Sequence, residues 1–111
     1  MNPRIESLEK LLNGPRDSAL LRFSLGNEYL KAGQPASAAA CFRAAVEHDS
    51  QYSAAWKALG KALAEAGQPG AALDAYEQGR SVAEARGDRQ AAKEMAVFAK
   101  RLRKAAEADN R

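Results

Sequence analysis

The chain restates itself after 34 residues, and this constrains its fold more than any other feature. Ala32-Gly33-Gln34-Pro35-Ala36-Ser37-Ala38-Ala39-Ala40-Cys41, running on to Phe42, returns as Ala66-Gly67-Gln68-Pro69-Gly70-Ala71-Ala72-Leu73-Asp74-Ala75, ending at Tyr76. Upstream, Leu25-Gly26 returns at the same offset as Leu59-Gly60. A fixed period of this length marks a stack of like supersecondary units, none of which can bury its apolar face alone.

The punctuation of the repeat predicts helices. Gly33-Gln34-Pro35 and Gly67-Gln68-Pro69 put glycine just past one helix and proline at the start of the next. Asn2-Pro3 opens a short first helix with Ile5, Leu8 and Leu12 on one face, and Asn13-Gly14-Pro15 stops it. Asp17 or Ser18 caps a second helix to about Ala32, and its partner runs from about Pro35 to His48. A second hairpin covers roughly residues 52–66 and 69–86, overrunning until Gly87 ends it; Asp88 then caps a long last helix to about Ala108. The expected class is all-α, with about six helices in one domain and no strands.

Gly26 and Gly60 sit inside these helical patterns, where glycine costs about 1 kcal/mol against alanine. Glycine there suggests that another helix backbone passes too close for a side chain. Ala38 and Ala72 fit the same tight packing, while Tyr29, Phe42, Trp56 and Tyr76 fill the wider gaps. Alanine dominates the apolar residues, so the core is expected to be thin.

The spacing also resembles a known family, the tetratricopeptide repeat (TPR), whose signature is W-x2-L-G-x2-Y followed by A-x3-F on a 34-residue period. The second unit reads Trp56-x2-Leu59-Gly60-x2-Leu63, then Ala72-x3-Tyr76; the first reads Arg22-x2-Leu25-Gly26-x2-Tyr29, then Ala38-x3-Phe42. Arg22 departs from the tryptophan, Leu63 from the tyrosine, and Ser50 and Glu84 from the closing proline. The resemblance implies antiparallel helix-hairpin repeats in an α-solenoid fragment. It divides the chain into an N-terminal helix (3–12), two repeats (19–52 and 53–86) and a capping helix (88–108). Gly87 lies 34 residues after Ser53, which would suit a third repeat, but Lys93-Glu94 then stands where Leu-Gly is required. The last helix, with Ala91, Met95, Phe98 and Leu102 as a single apolar stripe, therefore reads as a solvating cap.

Catalytic and metal-binding constellations are missing from the pattern. His48 is the only histidine and Cys41 the only cysteine, which supports neither a metal site nor a Cys/His pair. His48 suits a helix C-terminus, and Cys41 reads as a small packing residue. Arg86-Gly87-Asp88 spells an adhesion tripeptide but reads as a helix stop followed by a cap. No enzymatic activity and no cofactor are expected. One cysteine, a charged start from Met1 to Lys10 and no long apolar run predict a cytoplasmic protein without a membrane span.

Charge is unevenly placed. Residues 1–85 hold nine Lys/Arg and ten Asp/Glu, whereas residues 86–111 hold eight and four, so the whole net charge of +3 comes from the end of the chain. Arg89, Lys93, Lys100, Arg101, Arg103 and Lys104 form a basic patch that could serve nucleic acid or another anionic surface. The aromatic interleaving of single-strand binders is absent apart from Phe98, which is assigned to the core. No specific nucleic acid is expected, and a solvated helix face is the plainer reading.

The resemblance implies a protein-binding module, an adaptor or assembly factor, whose first helix of each repeat lines a concave groove. Carried over, that groove presents Leu20, Phe23, Ser24 and Asn27 from the first repeat and Ala54, Lys57, Ala58 and Lys61 from the second. The capping helix adds Ala92 and Met95. Leu20 and Phe23 could instead pack under the N-terminal helix. Such a surface suits a peptide or helix of a partner with apolar anchors and a carboxylate, or, weakly, a second copy of the chain. Some TPR proteins clamp chaperone tails with a Lys/Asn/Asn/Lys/Arg set; the matching positions here are Phe23, Asn27, Ala58, Asp88 and Ala92, and only Asn27 agrees.

Overall fold

The computed structural model describes residues 2–109, and among them the chain forms six α-helices. These are α1 (Pro3–Glu9), α2 (Ala19–Lys31), α3 (Pro35–His48), α4 (Ser53–Glu65), α5 (Pro69–Ala85) and α6 (Arg89–Asp109). Each of α2 to α6 packs on its sequence neighbour, giving a flat stack of 46 × 32 × 18 Å. α1 lies against α2 alone among its substantial contacts.

Three turns of the same build set the spacing. At Gly33, Gly67 and Gly87 the backbone is left-handed, with φ of +73°, +78° and +76°. In each turn the glycine N–H bonds three residues back, to Leu30, Ala64 or Glu84, and the next N–H reaches the carbonyl of Tyr29, Leu63 or Ala83. This pairing satisfies the last helical carbonyls, and the left-handed residue is why glycine stands there. Arg86-Gly87-Asp88 is thus the third of three helix stops, and the Asp88 carboxylate accepts from the Ala91 N–H as the cap of α6. Pro35 and Pro69 open α3 and α5, where no side chain caps the helix. Ser18, not Asp17, caps α2: its Oγ accepts from the Leu21 N–H at 3.1 Å.

The glycines inside α2 and α4 make room for rings rather than for a backbone. A Cβ on Gly26 would lie 2.5–2.9 Å from the ring of Phe42, and one on Gly60 would lie 2.6–2.8 Å from the ring of Tyr76. Each repeat therefore seats the aromatic of its second helix on the bare glycine of its first. Phe42 is fully buried and Tyr76 nearly so. These rings, with Leu25, Leu59, Leu63 and a set of buried alanines, make the core, and no polar residue is buried among the described residues.

One boundary differs from the sequence reading. α1 ends at Glu9 rather than near Leu12, because Leu11 and Leu12 donate to Leu8 and Glu9 in tight turns and Asn13 turns left-handed at φ +65°. α5 is 17 residues long where α3 has 14. This extension delays α6: α4 starts at Ser53 and α6 at Arg89, 36 residues apart and not 34.

Candidate functional site

α2, α4 and α6 present one face to the same concavity, a groove of about 530 Å³. Asn27 and Leu30 come from α2, Ala54, Lys57, Ala58 and Lys61 from α4, Tyr76 from α5 and Phe98 from α6. The helical spacing explains the selection: Ala54, Lys57, Ala58 and Lys61 recur at i, i+3, i+4 and i+7, so they form one stripe of α4. The neighbouring stripe, Ala55, Leu59 and Ala62, is fully buried.

The floor is aromatic. Tyr76 and Phe98 stack with centroids 5.2 Å apart and ring planes 23° from parallel. The Arg101 guanidinium lies 5.7 Å from the Phe98 centroid, within cation–π range. Burial pushes the Tyr76 phenol up to about 12, with the negative charge of Glu65 adding to the effect. Across the groove, Lys57 donates to Glu94 at 2.6 Å, tying α4 to α6, with both side chains partly open to solvent.

Placement of the expected groove residues is mixed. Asn27, Ala54, Lys57, Ala58 and Lys61 line the groove. Phe23 does not; it packs against Phe42 and Tyr52, with centroids 5.7 and 5.0 Å apart. Ser24 faces α1, in a shallow hollow with Pro3, Arg4, Ser7, Leu8 and Glu28. Leu20 is 63% exposed on the first turn of α2 and is not covered by the N-terminal helix. Met95 and Ala92 do not line the groove: both are buried, and Met95, completely covered, fills the space left by Gly79. The two-residue delay of α6 is the reason. Buried Ala92, Met95 and Ala99 fall 36 residues after Trp56, Leu59 and Leu63, so Met95 takes the place of a core leucine, not of Lys61.

The same shift brings in residues that the sequence reading placed elsewhere. Phe98 belongs to the groove floor as well as to the edge of the core, with the Arg101 guanidinium beside it. The signal was present: Ala92-x2-Met95-x3-Ala99 echoes Trp56-x2-Leu59-x3-Leu63, but at a broken period. The basic patch divides accordingly. Arg103 pairs with Glu77 of α5, and Arg101 sits over Phe98, while Arg89, Lys93, Lys100 and Lys104 are exposed at spacings that put them on one outward face. No helix among the described residues is long and apolar enough to cross a membrane, and no group of three or more potential metal ligands occurs among them.

No protein-family model matches the chain. A TPR repeat-containing protein of Pseudomonas aeruginosa is 50% identical over 101 residues, covering 91% of this chain and 96% of the relative. The solution structure of a protein from Bordetella parapertussis superposes with a TM-score of 0.80 at 40% identity, over 99% of this chain and 96% of that one. The crystal structure of a tetratricopeptide repeat domain protein from Salinibacter ruber gives 0.71 at 28% identity, over 78% and 97%.

Proposed function

Because the chain belongs to the tetratricopeptide repeat family, we propose that it is a non-enzymatic adaptor or assembly factor that holds a segment of another protein in the groove between α2, α4 and α6. The observation that carries this reading is the division of α4 into a fully buried stripe and an open one. Its buried residues build the core, and Ala54, Lys57, Ala58 and Lys61 are left to face the concavity. The small alanines let a partner backbone approach closely, and the aromatic floor offers apolar area to an anchor side chain. α6 ends the array, with its charged outward face toward water.

Two repeats cover little partner surface, so a dissociation constant near micromolar, about −8 kcal/mol, is the expected scale. A photo-crosslinking amino acid at Ala54, exposed in the groove, should capture a discrete partner in cells. The same group at Ala40, exposed on α3, should not. Equal capture from both positions would remove the groove from consideration.

A further inference from the structure

The rim of the groove carries cations of two kinds. Lys57 already has a carboxylate, that of Glu94. Lys61 and Arg101 pair with no acid among the described residues, although Lys61 lines the groove and Arg101 lies over its aromatic floor. We infer that the groove takes an acidic amphipathic segment of another protein, its apolar side chain on the Tyr76–Phe98 stack and its Asp or Glu carboxylate on Lys61 and Arg101, with Glu94 acting as an internal competitor for Lys57. This rests on the groove being the partner site, and it adds the chemistry of the partner.

The argument is one of complementarity and pre-organisation. Arg101 stacked on Phe98 has lost part of its rotamer freedom before any ligand arrives, so holding a carboxylate there costs less. An apolar floor beneath the two cations lowers the local dielectric and strengthens their pull on an anion. Glu94 works against a third contact, because an incoming carboxylate must displace an intramolecular partner to reach Lys57. A second copy of the chain is a poorer occupant: the exposed end of α6 supplies Glu107 and Asp109, but only Ala105, Ala106 and Ala108 as anchors. Nucleic acid is poorer still, since Arg89, Lys93, Lys100 and Lys104 lie on the face of α6 turned away from Phe98.

The test begins with a displayed library of random twelve-residue peptides, selected in parallel on wild type, Lys61→Glu/Arg101→Glu and a groove-blocked Ala54→Arg. Wild type should enrich peptides that pair Asp or Glu with a large apolar residue, and both variants should lose them. The leading peptide, fluorescently labelled, should bind about tenfold more tightly than its Asn/Gln analogue by anisotropy. Glu94→Gln should tighten the acidic peptide about threefold and leave the neutral analogue unchanged. If the Lys57–Glu94 bond were merely a brace between helices, breaking it would weaken both peptides alike and the competitor role would fall. Enrichment that Ala54→Arg abolishes but that carries no acidic bias overturns the chemistry and keeps the groove. Enrichment indifferent to Ala54→Arg, or none at all, overturns both. A micromolar dimer in sedimentation that Lys61→Glu dissociates makes a second copy the occupant and overturns the proposal.

Discussion

Arg22 and Trp56 stand one repeat apart and fix the start of α2 and α4 by different chemistry. Trp56 donates its indole N–H to the Ser50 carbonyl at 2.9 Å, a neutral bond that draws the incoming loop onto α4. Arg22 holds the Asp17 carboxylate with two donors, Nε at 2.9 Å and a terminal nitrogen at 2.6 Å, and Asp17 in turn accepts the Asn13 N–H at 2.8 Å. The second helices differ in the same way: fully apolar Phe42 fills the bare glycine of the first repeat, and titratable Tyr76 fills that of the second. The repeat thus conserves a shape, a ring against a glycine and a lock at the helix start, while leaving the chemical group free. Where the groups differ, the two repeats should fail under different conditions.

The largest effect should come from the rings. Phe42→Ala and Tyr76→Ala each empty a buried aromatic site, and each should cost about 3–5 kcal/mol in urea denaturation. Their consequences for binding should diverge. Tyr76 is also the floor of the groove, so its loss should weaken any groove ligand beyond the effect on stability, whereas Phe42 lies outside the groove lining. If Phe42→Ala costs under about 1 kcal/mol, the two rings are not equivalent props, and the likeness between the repeats is only one of sequence.

The rings and glycines explain what could be read without coordinates. Leu25-Gly26 and Leu59-Gly60 recur because each glycine must face an aromatic 16 residues later, a constraint strong enough to keep the period visible in the sequence. The groove stripe of α4 followed from the same register. What failed to extrapolate was α6. The overrun of α5 as far as Gly87 is legible in the sequence, but the two-residue delay it imposes on α6 is not, so a strict 34-residue count put Met95 beside Lys61 in the groove, and the apolar stripe of α6 left Phe98 in the core. Phe23 was misplaced for a different reason. It shares a helical face with Asn27 and Leu30, but Tyr52 from the next loop folds over it, a contact that no helical periodicity contains.

A middle-sized effect should appear in alkali, and it belongs to the second repeat. Burial raises the Tyr76 phenol to about 12, so the folded state favours the neutral form more strongly than the unfolded chain, in which a tyrosine titrates near 10. The stability from this group is fully present below about pH 10 and is lost as the pH rises toward 12. Tyr76→Phe should remove most of that loss, flattening the urea midpoint between about pH 10 and 12. Tyr29 and Tyr52 are also shifted upward, the first by its hydroxyl bond to Glu9 and by burial and the second mainly by burial, so a smaller slope should remain. An unchanged alkaline profile in Tyr76→Phe would mean that the ring is less enclosed than its packing on Gly60 and Phe98 implies.

The smallest effect should come from the lock of the first repeat, and it should appear at the opposite end of the pH scale. The Arg22 side chain, followed by the Asn13 N–H, holds the Asp17 carboxyl well below the usual carboxylate range. A carboxylate with a depressed folded pKa stabilises the protein at every pH above its unfolded value, near 4, and that contribution fades as the pH falls toward the folded value. The pair lies near the surface, where solvent and salt screen it, so its worth at neutral pH should be modest. Asp17→Asn keeps the shape and one acceptor but gives up the charge. At neutral pH it should melt below wild type; the gap should narrow as the pH drops below about 4, and added salt at neutral pH should shrink it as well. Trp56→Phe, which deletes the neutral lock of the second repeat, should show a gap that neither acid nor salt alters, because no ionisable group takes part in its bond to Ser50. Parallel melting curves of the two variants across pH and salt decide the matter. If Asp17→Asn behaves like Trp56→Phe, the first helix is held by packing and by the Ser18 cap, and the charge on Asp17 contributes nothing to it.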